Sequence, residues 1–396
     1  MSDPYRNVTA GFFTMQAQER VIFGQPAGAA IVAEAERYGA KRVFVTSTRS
    51  LTKLNDGPLQ RIEAALAARH AGTFTAISAH SPREDVIAAS AQARAAGADM
   101  LVAVGGGSVI DATKAMQLCL WLGLDNPEAM EPYRTRADAS IPKPVEVPAN
   151  AIRMCAVSTT LSASEFTARA GITDARTNTK QSFDHRMIVP RSIILDPAST
   201  LDTPDWLLFC TGIRAVDHAV ETYCNVAANP ATEALSLQGL NLLAHALPQI
   251  KANPRDLKPR MQAQFGMWQA IAAAAAGVPT GASHGIGYAL GATFGVPHGH
   301  TSCVMLPAVL QWNAAVNAER QKALSVAMGA PNRPASELVR ELIAGLDQPV
   351  TLRGVGIKRE NLDEIAKRAV AYEPVQVNPR KVNGPADVKE ILELAW

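Results

Sequence analysis

Three side chains within ten residues are of types that do chemistry together. In GIRAVDHAVE, Gly212 to Glu221, Arg214 and His218 stand four apart and project from one face of a helix, with Asp217 at its edge. A cation, a carboxylate and an imidazole so spaced suit a metal site, the remnant of one, or a helix with a polar stripe, and the segment alone leaves all three open. A second concentration, SHGIGYALGATFGVPHGH from Ser283 to His300, carries three of the eight histidines: His284, His298 and His300. His284 and Tyr288 share a helical face, and the glycines and alanines around them allow close packing. One histidine by itself is usually a core or surface residue; three beside a tyrosine make a binding-site composition.

A third stretch suits an anion. LVAVGGGSVIDATKAMQL, Leu101 to Leu118, reads as a buried strand, then Gly105, Gly106, Gly107 and Ser108, then a helix. Glycines there let a diphosphate approach the backbone, and the free N–H groups of a helix start favour its oxygens. The spacing is neither G-x-G-x-x-G nor a P-loop, so a plain strand-to-helix turn is the competing reading. VSTTLSASEFT, Val157 to Thr167, adds several hydroxyls and one carboxylate after the strand-like AIRMCAV. Hydroxyls at a strand end contact ribose or phosphate in open α/β sheets, or else cap the next helix.

The elements that must position these groups follow from the hydrophobic pattern. Through the first half, strand-like runs (KRVFVTS, GTFTAIS, DMLVAVG, RSIILD) alternate with helical ones such as GAAIVAEAERYGA, closed by a glycine C-cap, and PREDVIAASAQARAAGA. That alternation implies βαβ units and a parallel sheet covered on both faces. Beyond Pro197, alanine, leucine and glutamine recur at helical spacing and strands become rare. The expected fold is an α/β domain over residues 1–198 followed by an all-α domain over residues 199–396.

Composition removes several classes of function. The 38 basic and 36 acidic residues are interspersed, with no basic stripe for nucleic acid or an anionic membrane. Five scattered cysteines without C-x-x-C spacing signal neither a disulfide framework nor a thiolate zinc site, and suit a reducing cytoplasm. No apolar run reaches the roughly 18 residues of a membrane span, and the N-terminus lacks a signal-peptide pattern. The expected location is cytoplasmic.

In order, GGGSxxD, TTxSxSE, GxxAxxHAxE and HGxxxxLGxxFxxPHG, with an NPR region near the C-terminus, resemble the iron-containing alcohol dehydrogenase family, of dehydroquinate synthase-like fold, over essentially the whole chain. The resemblance implies an N-terminal NAD(P)-binding domain, a helical domain, an active site in the cleft between them, and a homodimer. It assigns Gly105, Gly106, Gly107, Ser108 and Asp111 to the cofactor diphosphate region, Thr159, Thr160 and Ser164 to the nicotinamide side, and Lys180 to a ribose. In metal-dependent members an aspartate, the histidine four residues later and two further histidines bind Fe²⁺ or Zn²⁺. Here His218, His284 and His298 fill the histidine positions, but Arg214 stands in the aspartate's place. A guanidinium stays protonated, cannot ligate a cation and repels one nearby, and Asp217 lies too far round the helix to substitute. The reading is a site without metal; if one binds, those three histidines are its donors.

Two further departures matter. Tyr288 stands where many members carry another histidine implicated in proton relay, and a phenol can take over that work. Ser47, followed by Thr48 and Arg49, stands where many members have an aspartate that repels a 2′-phosphate, so NADH and NADPH are both expected to serve, neither strongly preferred. The logic, more than the letters, is that of the maleylacetate reductases, which have also lost the metal aspartate and reduce a double bond conjugated to a ketone in a small dicarboxylate of aromatic-compound catabolism. The function so implied is a metal-independent NAD(P)H reductase of a small carboxylated enone or ketone. Arg214 would anchor or polarise that anion, Tyr288 or His284 would give the proton, and His218 and His298 would complete the electrophilic side. The competing readings are a Fe- or Zn-dependent alcohol or aldehyde dehydrogenase using three histidines with water or Asp217, and a non-catalytic nucleotide sensor or partner subunit in which Arg214 marks a dead site.

Overall fold

The apolar, β-branched runs do become strands, and the alternation of side chains along them decides which face each residue serves. The computed structural model describes residues 11–135, 142–177 and 179–396, so most of the N-terminal stretch read for a targeting signal lies outside it. Its strands are β1 (Arg20–Phe23), β2 (Val43–Thr46), β3 (His70–Phe74), β4 (Met100–Gly105), β5 (Arg153–Ser158), β6 (Arg169–Asp174), β7 (Thr179–Asp184) and β8 (Ser192–Leu195). Six of them form one sheet in the order β1-β8-β5-β4-β2-β3, every pairing parallel.

Helices α1 (Ala27–Tyr38), α2 (Pro58–Leu66), α3 (Arg83–Ala95) and α4 (Gly107–Leu122) supply the crossovers. Leu101 and Ala103 of β4 and Met154 and Ala156 of β5 join one apolar cluster with Val86 of α3 and Met116 of α4. The alternate residues Met100, Val102, Val104, Cys155 and Val157 join another with Ile31 of α1 and Ile62 of α2. Side chains of period two therefore fill a core on each face, which is why these strands are apolar throughout. Gly39 ends α1 at φ 69°, the left-handed cap its sequence predicts.

The antiparallel pair β6 and β7 was not anticipated. RAGITD and TKQSFD are short and half polar, so hydropathy reads them as loop. Only packing reveals them: Ala170, Ile172 and Phe183 join the cluster beneath α4.

The chain divides into two units, one of Gln16–Leu208 with Asn253–Gln264, the other of Phe209–Ala252 and Phe265–Trp396 with residues 11–15. The helices that follow α4 are α5 (Asp205–Cys224), α6 (Pro230–Ala252), α7 (Leu257–Ala275), α8 (Ala282–Phe294), α9 (His298–Ala327), α10 (Ala335–Gly345), α11 (Leu362–Ala369), α12 (Glu373–Gln376) and α13 (Pro385–Leu394). In the helical unit Ile286, Met305, Trp312, Ile365 and Ile391 share a core. Small residues let its helices approach closely: a Cβ on Gly287 of α8 would lie 2.8 Å from Thr301 Oγ1 of α9. Among the described residues no helix is long and apolar enough to cross a membrane, and all five cysteines are buried free thiols.

Candidate active site

Asp217 and Glu221 are one turn apart on α5, and both are buried. Glu221 meets the start of α8, whose first N–H groups have no partner within their own helix. It accepts from the backbone of Gly281 (2.8 Å), Ser283 (2.7 Å) and His284 (3.3 Å). Its Oε2 also lies 2.7 Å from His284 Nδ1. The other ring nitrogen, Nε2, is 3.0 Å from Nδ1 of His218, so Glu221, His284 and His218 form an unbroken hydrogen-bonded line. His218 is half-buried, and its Nε2 has no hydrogen-bond partner among the described residues.

A second branch carries the cation. Arg214 Nη1 donates to Ser302 Oγ (2.9 Å), which donates to Asp217 Oδ2 (2.6 Å). The same oxygen accepts from Ser283 Oγ (2.9 Å) and lies 3.3 Å from His284 Nδ1. The remaining N–H groups of Arg214 have no acceptor among the described residues. Its guanidinium carbon is 6.0 Å from the ring centre of Tyr288, which lies parallel to His298 at 6.1 Å and edge-on to Tyr372 at 5.6 Å.

Burial controls the protonation of this cluster. It pushes the Glu221 carboxyl up to about 7, against the three backbone donors that favour its ionised form. Asp217, whose Oδ1 is buried without a partner, rises to about 6. His284 is pushed down to about 3 by burial and then by Arg214. His218 falls well below the usual imidazole range through burial, His284 and Arg214. Both imidazoles are therefore neutral near pH 7.

Two expectations change. His284 was one of the two residues expected to give the proton, yet both its ring nitrogens are engaged inside the protein, and the open nitrogen belongs to His218. Asp217, expected to lie too far round the helix, does reach His284, but at Nδ1, the ring edge away from His218. The donor atoms within 4.8 Å of one another are those of Asp217, Glu221 and His284; His218, His284 and His298 do not form such a group among the described residues. Arg214 Nη1 lies 3.8 Å from Asp217 Oδ2, and both ring nitrogens of His284 are hydrogen-bonded within the protein. Glu221 could have been read in advance, since it falls three residues after His218 on the same helical face; Ser302 carries no signal of its own.

The expected cofactor residues gather in the other unit. α4 starts at Gly107, and the N–H groups of Gly106, Gly107 and Ser108 have no acceptor among the described residues. That cradle fits a dinucleotide diphosphate. A Cβ on Gly106 would lie 2.9 Å from Thr160 Cγ2, so glycine there lets the hydroxyl-rich segment close against the loop. Thr159 N donates to Gly105 O (3.0 Å), and Thr160 Oγ1 to Ser162 Oγ (3.1 Å). Lys180 is exposed on β7, opposite Thr173.

Asp111 and Ser164 act differently from what the resemblance implies. Ser164 Oγ donates to Asp111 Oδ1, and Gly171 N donates to Oδ2 at 3.1 Å. The fully buried Lys114, missed in the sequence although it is three residues from Asp111, donates to the carbonyls of Ser164 (2.6 Å) and Arg169 (2.8 Å). These bonds tie the 164–171 segment to α4. Ser47 is a clear correction. It is fully buried, its N–H donates to Phe74 O (2.8 Å) and its Oγ to Val104 O (2.9 Å), so it closes the sheet and has nothing left for a cofactor.

Glu165, next to Ser164, is buried with neither carboxylate oxygen hydrogen-bonded, and burial raises it from 4.5 to about 7. As pH rises the unfolded chain ionises first, so this group is neutral and harmless below about pH 4 and destabilising above about pH 8. Glu165→Gln is expected to equal the parent in stability at the lower pH and exceed it by up to about 3 kcal/mol at the higher, read from denaturant midpoints.

One unit thus carries an anion cradle at the carboxyl ends of a parallel sheet, as nucleotide-binding α/β folds do, and the helical unit carries an arginine–carboxylate–histidine cluster. The chain belongs to the iron-containing alcohol dehydrogenase family: the family model for iron-containing alcohol dehydrogenase matches residues 18–197, and that for the family's C-terminal part residues 209–396. It is 33% identical to Dehydrogenase ALT3 of Alternaria alternata, over 86% of this chain and 96% of that protein. It is 29% identical to maleylacetate reductase of Burkholderia cepacia, over 95% of each. The crystal structure of maleylacetate reductase from Rhizobium sp. strain MTP-10005 matches with a TM-score of 0.81 at 26% identity, covering 98% of both chains. With these relatives the protein is an NAD(P)-dependent oxidoreductase.

Proposed function

We propose that this protein reduces a small carboxylated enone or ketone of the maleylacetate type, with NADH or NADPH and without a metal. The observation that carries this reading is Arg214: a guanidinium that the family resemblance puts in the metal-ligand position, tethered through one N–H to Ser302 and with its other donors unpaired among the described residues. Such a group offers a carboxylate or a developing enolate oxygen a fixed positive charge and paired donors. The maleylacetate reductases among the relatives support the substrate class.

A bound reduced nicotinamide would supply a hydride for the carbon β to the ketone, and Arg214 would then face the developing enolate oxygen or the carboxylate. The proton that completes the reaction at the α carbon comes from His218 Nε2. As it leaves, Nδ1 of His218 takes the proton of His284 Nε2, and Nδ1 of His284 takes that of the Glu221 carboxyl. Three neutral groups end as a carboxylate and two neutral imidazoles, so no imidazolium forms beside Arg214. Tyr288, stacked on His298, lies beside the Arg214 guanidinium.

The test uses purified protein, maleylacetate and a series of simple aldehydes, with nucleotide oxidation followed by absorbance and bound metal by elemental analysis. Expected are reduction of maleylacetate, little turnover of the aldehydes, and no loss on chelation. Turnover confined to simple aldehydes or alcohols and abolished by a chelator would establish the metal-dependent dehydrogenase instead. No turnover of either, with nucleotide still bound, would establish the non-catalytic alternative.

A further inference from the structure

We infer that Arg49, aided by Lys53, holds the 2′-phosphate of NADPH, so that this nucleotide binds more tightly than NADH; the inference rests on the NAD(P) reading of the glycine loop and goes beyond the expectation of no preference. In parallel dinucleotide folds the adenosine ribose sits at the end of the strand beside the phosphate loop, where a carboxylate selects NAD and a cation NADP. Here that strand is β2. Thr46 pairs with Ala103 of β4, and Ser47 bonds to Val104, which brings Thr48 level with Gly105, the first glycine of the loop.

The residues that follow have one sign of charge. From Ser47 to Asn55 there are two cations, Arg49 and Lys53, and no acid. Both are exposed, and neither side chain makes an ion pair or hydrogen bond among the described residues. The next carboxylate, Asp56, already lies 3.8 Å from Arg61. The segment is nevertheless held in place: Leu51 is buried at 8% exposure in the core beneath α1 and α2, its carbonyl accepts from Gln60 Nε2 (3.0 Å), and Thr52 Oγ1 donates to Arg49 O (2.9 Å). A guanidinium on an anchored turn, with no internal acceptor and no carboxylate to oppose an anion, suits a phosphate monoester at the adenosine end.

Calorimetric titration of the full chain with NADPH and NADH tests this without turnover. NADPH is expected to bind roughly tenfold more tightly, the worth of one exposed charge-assisted hydrogen bond. Adenosine 2′,5′-bisphosphate should exceed 5′-AMP by a similar factor. Added salt should narrow both ratios. In Arg49→Ala, whose exposed side chain bears no fold contact, each ratio should fall to within about twofold of one, and in Lys53→Ala less far. Equal binding by the parent, tighter NADH binding, or ratios unmoved by Arg49→Ala would overturn the inference alone. Failure of every nucleotide to bind would overturn it together with the NAD(P) reading on which it stands.

Discussion

Replacing Arg214 by alanine is expected to lower kcat/KM for a dicarboxylate enone by roughly 10²- to 10³-fold, because a desolvated carboxylate loses its paired donors and its counter-charge at once. Titrated nucleotide should bind as before, since the cradle formed by Gly106, Gly107 and Ser108 is built independently of α5. The fold should persist too. Ser302 still donates to Asp217, and the Asp217 carboxyl, already raised to about 6, can take up a proton when its cation goes. Arg214→Lys should recover only part of the loss: it keeps the charge but not the planar fork. Arg214→Asp is the sharper variant, since it restores a carboxylate four residues before His218. If an arginine does a metal's work here, the parent should carry no stoichiometric metal and Arg214→Asp with added Zn²⁺ should gain activity on simple alcohols. A stoichiometric metal in the parent, with no gain in the variant, would sink the idea.

Glu221→Gln is expected to lower kcat for the reduction by about 10²-fold or more while moving KM little, the size of effect usual for a lost general acid. Gly281 and Ser283 donate to different oxygens of Glu221, so the single amide oxygen keeps one of these bonds and loses the other, and an unchanged thermal midpoint is the control that α8 stays in place. The amide cannot pass a proton to His284 Nδ1, so the line of three groups loses its supply. The pH dependence separates this from a merely structural role. The groups facing Glu221 are His284, Asp217 and, further off, Arg214. The proton-bearing form of a carboxyl raised to about 7 is the one that delivers, so kcat of the parent should decline as pH rises above that value. The decline should vanish in Glu221→Gln, leaving a low, flat profile. A full-strength variant, or an unchanged pH limb, would place the proton source elsewhere, with Tyr288 the first residue to examine.

Legibility differed sharply between backbone and side-chain level. The apolar runs of β2, β4, β5 and β8 could be read because a strand buried on both faces needs an apolar residue at every position. The glycine loop could be read because approach to an anion needs the absence of Cβ. β6 and β7 could not: their residues alternate between exposed and buried, and only the cluster under α4 shows which half is buried. Ser47 failed for a related reason, since a serine at a strand end serves a ligand or the sheet equally well until Val104 O is found 2.9 Å away.

By itself the sequence determined the α/β and all-α halves and the glycine-rich turn between β4 and α4, because these depend on residue type and local periodicity, while the place of Arg214 at a metal-ligand position is what the family resemblance implies. Tertiary structure alone decided what those residues do. The N-terminus of α8 brings Glu221 and His284 together across 63 positions of chain. α9 supplies Ser302, which couples Arg214 to Asp217 from 88 positions away. Which imidazole nitrogen is left open follows from these contacts, since hydrogen-bond geometry between distant elements leaves no trace in spacing along the chain. Among the described residues of the Glu221–His284–His218 line, the ring nitrogen without a partner is Nε2 of His218, four residues beyond the arginine.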